Sequence, residues 1–192
     1  MVTIHDITNT IFSSKTYILS KEGYDRAWII DVGDIDPLVR YLDSCHLGIE
    51  GILITHAHFD HIYGLNDLVK KYPDCKVYVT EYSKEALASD KLNLSKYHGQ
   101  SILYVNDNIV VVHDGERIKL FEDEPTMEFY ETPGHNPGCL SMSIGNVFFT
   151  GDSYIPRIGV DTRLPRSNKQ QAQQSLERIL TLSEGKVILC GH

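Results

Sequence analysis

The chain has 192 residues, 42% hydrophobic and 23% charged, an ordinary globular composition that excludes a disordered or fibrous chain. At this length folding buries roughly 70% of the unfolded surface, so one domain with its own core is expected over residues 1–192. Eighteen basic against 26 acidic residues give a formal charge of −8, the wrong sign for a nucleic-acid face.

The first apolar alternation predicts strands over Ile7–Phe12 and Thr16–Leu19, joined by a turn at Ser13–Lys15. Gly23 and Tyr24 make another turn, and Arg26–Val32 reads as a buried strand running into Asp31-Val32-Gly33. Asp36-Pro37 opens a helix to about Cys45, with Leu38, Leu42 and Cys45 on one face. Gly51–Thr55 is a short apolar strand, followed after the next loop by a helix over about Ile62–Tyr72 that Pro73 stops. Lys76–Thr80 is a strand, and Ser83 caps a short helix to Ser89. Five strand-like runs then follow: VVVH at 110–113, RIKLF at 117–121, MEFYE at 127–131, CLSMSI at 139–144 and NVFFT at 146–150. A helix over Ser167–Leu182 and a strand over Lys186–Cys190 complete the order. Strands mixed with surface helices predict a sandwich of sheets with helices outside.

No stretch approaches ~18 consecutive apolar residues, so no membrane span is expected. Nor do the first ten residues show a basic start before an apolar run, so no secretion signal is read. Cys45, Cys75, Cys139 and Cys190 include no CxxC pair and read as reduced thiols, which favours the cytoplasm.

The chemistry lies at strand ends. Three of the nine histidines, His56, His58 and His61, fall within six residues together with Asp60. Neutral imidazole is the commonest metal ligand, and a cluster this dense is hard to explain otherwise. In extended backbone His56 and His58 face one side. Asp60 and His61, adjacent in a turn, can face a second point. One loop can then serve two cations ~3.5–4 Å apart, the spacing of two-metal hydrolases. His135, Asp152 and His192 each follow a glycine just past an apolar strand, where the backbone can turn sharply beside a site. His5, His46, His98 and His113 lack this context.

The HAHFDH loop at 56–61, TPGH at 132–135, GD at 151–152 and GH at 191–192 resemble the metallo-β-lactamase superfamily, in the right order and along essentially the whole chain. TPGHNPGCLSM at 132–142 and FTGDS at 149–153 are most similar to its glyoxalase II-like (hydroxyacylglutathione hydrolase-like) members. The resemblance implies a mixed α/β fold, a four-layer αββα sandwich of two mixed sheets flanked by helices. It implies one metal ion on His56, His58 and His135, a second on Asp60, His61 and His192, and Asp152 bridging them. Asp31 would be the buried structural aspartate of the family. Zinc is the expected metal, with iron or manganese compatible with an all-N/O ligand set.

The implied activity is hydrolysis of a small thioester, such as an S-acylglutathione, by a hydroxide held between the metals. Asp60 would orient it and move a proton. Lactone or other ester hydrolysis, and an iron-dependent persulfide dioxygenase using one metal, are the alternatives. Asp152 stands where the secreted β-lactamase branch carries Cys, which ranks antibiotic hydrolysis low. The helical domain with which glyoxalase II proper binds glutathione is not expected within these residues. Two substrate contacts are expected: Tyr63, where relatives carry Gly, and a basic loop holding Arg157, Arg163, Arg166 and Lys169 against a single acid, Asp161. That loop predicts an anionic substrate, which Arg binds in bidentate fashion.

Overall fold

Side chains that alternate along a strand must be buried on two sides, and here both sides are covered. The computed structural model describes residues 2–122 and 126–192. Six strands form the first sheet, in chain order: β1 (Val2–Thr8), β2 (Lys15–Lys21), β3 (Arg26–Ile30), β4 (Gly48–Leu53), β5 (Lys76–Val79) and β6 (Ile109–Val111). β1, β2 and β3 pair antiparallel, and β3 to β6 pair parallel. Parallel neighbours need crossovers, and α1 (Ile35–Ser44), α2 (Leu65–Lys71) and α3 (Glu81–Leu87) lie in them. The second sheet has the order β11-β10-β9-β8-β7, built from β7 (Arg117–Ile118), β8 (Met127–Glu131), β9 (Leu140–Ile144), β10 (Val147–Gly151) and β11 (Val187–Cys190). Its one parallel pair, β10 with β11, is bridged by α4 (Lys169–Leu182).

Three apolar clusters define the layers. Ile18, Ile29, Ile52 and Val77 of the first sheet meet Leu38, Leu42, Leu65, Leu68 and Leu87 of the three helices. Their strand neighbours Tyr17, Leu19, Trp28, Ile30 and Leu53 point the other way, onto Phe129, Leu140, Met142 and Phe149 of the second sheet. The opposite face of that sheet presents Tyr130 and Phe148 to Ile179 of α4. The result is helix, sheet, sheet, helix, the expected sandwich. No helix among the described residues is long and apolar enough to cross a membrane.

Several boundaries differ from the sequence reading, each for a local reason. β1 begins at Val2 and stops at Thr8, and Phe12 and Ser13 adopt left-handed backbone (φ +53° and +59°) in the turn that follows. β3 ends at Ile30 because Asp31 is left-handed (φ +55°). Cys45 is exposed, while Leu38 and Leu42 carry the buried face of α1. The helix expected from Ile62 is a 3-10 turn at Phe59–His61 followed by α2. β6 and β7 are shorter than the apolar runs around them, because Val112, Leu120 and Phe121 pack between the sheets from irregular backbone.

The cap of α3 is Thr80, not Ser83: the Thr80 hydroxyl accepts the Ser83 N–H at 3.2 Å and donates to the Gly138 carbonyl at 3.0 Å. It thereby ties a helix of the outer layer to the loop after His135. Thr80→Ala should lower stability by about 1–2 kcal/mol, since it removes a cap and one of the two hydroxyls on the Gly138 carbonyl, leaving that of Ser83 at 3.1 Å. In a thermal melt this reads as a drop of roughly 3–6 °C; an unchanged midpoint would refute the capping role.

Candidate metal centre

All seven ligand-type residues singled out in the sequence arrive at the carboxyl ends of four strands. β4 ends at Leu53, and residues 54–62 run through the interior without an exposed position. His135 follows β8 by four residues, Asp152 follows β10 by one and His192 follows β11 by two. Gly151 takes φ +48° and Gly134 φ +144°, turning the chain into the site at both places.

The side chains converge. His135 Nε2 lies 2.9 Å from His58 Nδ1 and 3.5 Å from Asp152 Oδ2. His61 Nε2 lies 3.3 Å from Asp60 Oδ2 and 3.4 Å from Asp152 Oδ1. His192 Nε2 is 3.2 Å from Asp152 Oδ2 and 3.5 Å from Asp60 Oδ2. His56 Nε2 reaches Asp152 Oδ2 at 4.0 Å. Three overlapping triads of donor atoms result, each within 4.8 Å of one another: His56/His58/His135, His56/His61/Asp152 and Asp60/His61/His192.

The rings are aimed by groups outside the cluster, which decides their tautomers. His61 Nδ1–H donates to Asp31 Oδ2 at 2.8 Å, His135 Nδ1–H to the Asp161 carbonyl at 2.9 Å and His192 Nδ1–H to the Phe12 carbonyl at 2.9 Å. The Thr55 hydroxyl gives its proton to Asp31 at 2.7 Å and so accepts from His56 Nδ1, 3.2 Å away. Each of these four rings therefore turns Nε2 inward. His58 is reversed: Nδ1 faces the cluster, and Nε2 lies 3.0 Å from the side-chain nitrogen of Asn136. The end of the segment is anchored too, with the Gly191 N–H on the Gly151 carbonyl, the Lys15 N–H on the Gly191 carbonyl and the Tyr17 hydroxyl on the Cys190 carbonyl.

Buried polar atoms ordinarily find partners, and each one left without costs ~1–3 kcal/mol. Here His56 Nε2, His61 Nε2 and Asp152 Oδ1 have no hydrogen-bond partner. All three belong to the central triad. The donor set, nitrogen and carboxylate oxygen only, suits divalent zinc, iron or manganese. Electrostatics agree. Burial, reinforced by the neighbouring imidazoles, pushes His56 well below its usual pKa and His58 down to about 3, so both are neutral and able to ligate. Around His61 burial opposes charge, but Asp60, Asp152 and Asp31 outweigh it and hold a positive charge on the ring. A cation satisfies that same field. Burial would raise Asp152, yet His61 and His192 hold it well below the usual carboxylate range.

A cavity of about 420 Å³ opens over the cluster. Its floor is His58, Asp60, His135, Asp152 and His192, and its walls are Phe12, Phe59, Leu94, His98, Ile155 and Leu164, with Asp161 at one side. The sequence reading missed these wall residues, since no local pattern marks them. None of the expected substrate contacts lines the cavity. Arg157, Arg166 and Lys169 are exposed, and Arg163 is held by Asp161 at 2.9 Å. The Tyr63 hydroxyl donates to Asp34 at 2.6 Å, away from the cluster.

A family model described as the metallo-beta-lactamase superfamily matches residues 46–192. Among curated proteins, the hydroxyacylglutathione hydrolase of Hahella chejuensis is 30% identical over 171 residues, 86% of this chain and 56% of that protein. The hydroxyacylglutathione hydrolase of Prochlorococcus marinus is 28% identical over 167 residues, 85% of this chain and 59% of that protein. The chain thus spans less than two thirds of the length of these relatives. Among solved structures, the BLEG-1 B3 metallo-beta-lactamase superposes with a TM-score of 0.87 at 26% identity, over 99% of this chain and 91% of that one.

Proposed function

Because the chain belongs to the metallo-beta-lactamase superfamily, we propose that it is a metal-dependent hydrolase, with a small thioester as its substrate. The observation that carries this reading is the trio of orphaned buried donors on His56, His61 and Asp152, set between two further triads. His56, His58 and His135 would hold one divalent cation, Asp60, His61 and His192 a second, and Asp152 both. Zinc is the first candidate, with iron and manganese suited to the same donors.

Cations held there supply Lewis acidity, lowering the pKa of water toward neutrality and polarising a carbonyl. The chain's own groups do the rest. Asp60 borders the cavity, and its Oδ2 lies between His61 Nε2 and His192 Nε2. It is placed to take a proton from the attacking water and return it to the leaving sulfur. Phe59, Leu94 and Leu164 exclude bulk water from the floor. An anionic tail of the substrate would meet Arg157 and Arg166 outside the cavity, on the loop whose Ile155 and Leu164 line it. The names of the two bacterial relatives support the thioester. The four free cysteines support a reducing compartment, the cytoplasm.

The test is thiol release from S-lactoylglutathione and from an acyl-CoA, with zinc, manganese or iron, beside Asp60→Ala. Metal-dependent release, removed by a chelator and reduced about 10²–10⁴-fold in the variant, is expected. No release under any metal would remove the thioesterase reading. The likeness to a B3 metallo-beta-lactamase over nearly the full length of both chains favours a second reading, opening of a β-lactam amide. A β-lactam turned over in the absence of thioester cleavage would establish it.

A further inference from the structure

The walls of the cavity say what kind of group enters it. Phe12, Phe59 and His98 come from three separate segments and meet as one aromatic wall. The His98 ring stacks on Phe59 at 4.2 Å and 14°, while Phe12 stands edge-on to both, 5.7 Å from Phe59 and 5.4 Å from His98. Leu94, Ile155 and Leu164 supply the remaining apolar lining. Among the described residues no lysine or arginine lines the cavity, and the charged side chains there besides the histidines are Asp60, Asp152 and Asp161. An anionic group held against Phe12, Phe59 and Leu164, away from the floor, would lose its water and find no lysine or arginine to replace it.

Phe12 is the unusual member. It is 60% exposed, and a phenylalanine at φ +53° carries backbone strain of ~1–2 kcal/mol. The turn is nevertheless pinned: the Ser14 hydroxyl donates to the Asp60 carbonyl at 2.8 Å, and the Thr10 N–H and hydroxyl both donate to Asp34. A large apolar ring is thus presented to solvent, at the edge of a cavity whose floor is the metal cluster.

We infer that the substrate carries an apolar alkyl or aryl group beside the scissile bond, received by the wall of Phe12, Phe59 and His98. The inference rests on the hydrolase reading for the bond that breaks. Two sources could supply the group, the acyl substituent or the organic part of the leaving thiol. Their shared chemistry is an uncharged hydrocarbon surface of a size that suits a small ligand cavity.

The metal-loaded protein is assayed in two arms. One varies the acyl group from acetyl through butanoyl to hexanoyl and benzoyl on one small uncharged thiol. The other holds acetyl fixed and lengthens an alkyl thiol. In one arm kcat/KM should rise roughly three- to fivefold per methylene until the cavity is filled, and that arm names the source. Phe12→Ala, which keeps the carbonyl that holds His192, should shrink the hexanoyl-to-acetyl ratio, or its thiol counterpart, at least tenfold. Flat or falling series in both arms overturn the inference, as does a Phe12→Ala protein in which every substrate loses the same factor. Calorimetric binding of acetate and hexanoate separates this from failure of the hydrolase reading. Hexanoate bound at least tenfold more tightly, with the advantage lost in Phe12→Ala, upholds the inference even without turnover. Equal binding of the two acids overturns it.

Discussion

A Gly191→Ala protein should purify folded and depleted of metal, although no ligand has been changed. A Cβ on residue 191 would stand 2.1 Å from Asp152 Oδ1 and 3.0 Å from His61 Cε1. The backbone cannot retreat, because Gly191 donates to the Gly151 carbonyl at 2.9 Å and accepts from Lys15 at 2.8 Å. The carboxylate must move instead, and it is the group common to His56, His61, His135 and His192. A displacement of ~1 Å at such a position costs about 10²-fold in rate or more. We expect loss of at least one metal equivalent by elemental analysis and a fall in kcat of roughly 10²–10³-fold. Gly185→Ala is the control: its φ of +72° is unsuited to alanine, a strain Gly191 does not carry, but its Cβ would meet nothing. It should lose stability and keep its metal. A Gly191→Ala protein with full metal and full rate would refute the packing argument.

Asp31 should separate stability from metal affinity. The residue is 2% exposed. Its Oδ1 accepts the Thr55 N–H at 2.8 Å, and its Oδ2 accepts the Thr55 hydroxyl at 2.7 Å and His61 Nδ1–H at 2.8 Å. Burial raises its pKa, and the bonds from His61 and Thr55 work against that rise. Asp31→Ala leaves three buried donors without an acceptor, which should cost about 3–5 kcal/mol in a denaturant titration. Asp31→Asn keeps the shape and tolerates the left-handed backbone. It should lose less stability, about 1–2 kcal/mol, but its amide nitrogen cannot accept from His61. Zinc affinity, measured against a competing chelator, should then fall about 10–100-fold. An Asn variant with native affinity would show that His61 needs no carboxylate to orient it.

What could be read from the sequence was whatever is encoded within a few residues. The His56–His61 loop is dense enough to stand out, and His135, Asp152 and His192 share the habit of following a glycine at a strand end. The layered sandwich followed from the order of apolar runs. Features set by distant contact could not be read. His98 is an unremarkable exposed histidine until Phe59 and Phe12 are found against it, 39 and 86 positions away. The basic loop looked like an anion contact because charge is visible in sequence, but the fold leaves its arginines outside the cavity and pairs Arg163 with the loop's own acid, Asp161, at 2.9 Å. Ile7–Phe12 has the spacing of a strand, but Phe12 and Ser13 turn left-handed, and the pairing of β1 with β2 starts further upstream, at Val2.

The two ends of the described segment meet at the cluster. The Phe12 carbonyl aims His192 across a separation of 180 residues, and the Tyr17 hydroxyl grips the Cys190 carbonyl across 173. Contacts of such sequence separation form late and slow the search for the native state. During synthesis, the first sheet can assemble while β11 has yet to be made. His192 joins the other six ligand-type residues only once it has cleared the ribosome. Closing the ring of ligands therefore waits for β11, and it reports that this strand has docked.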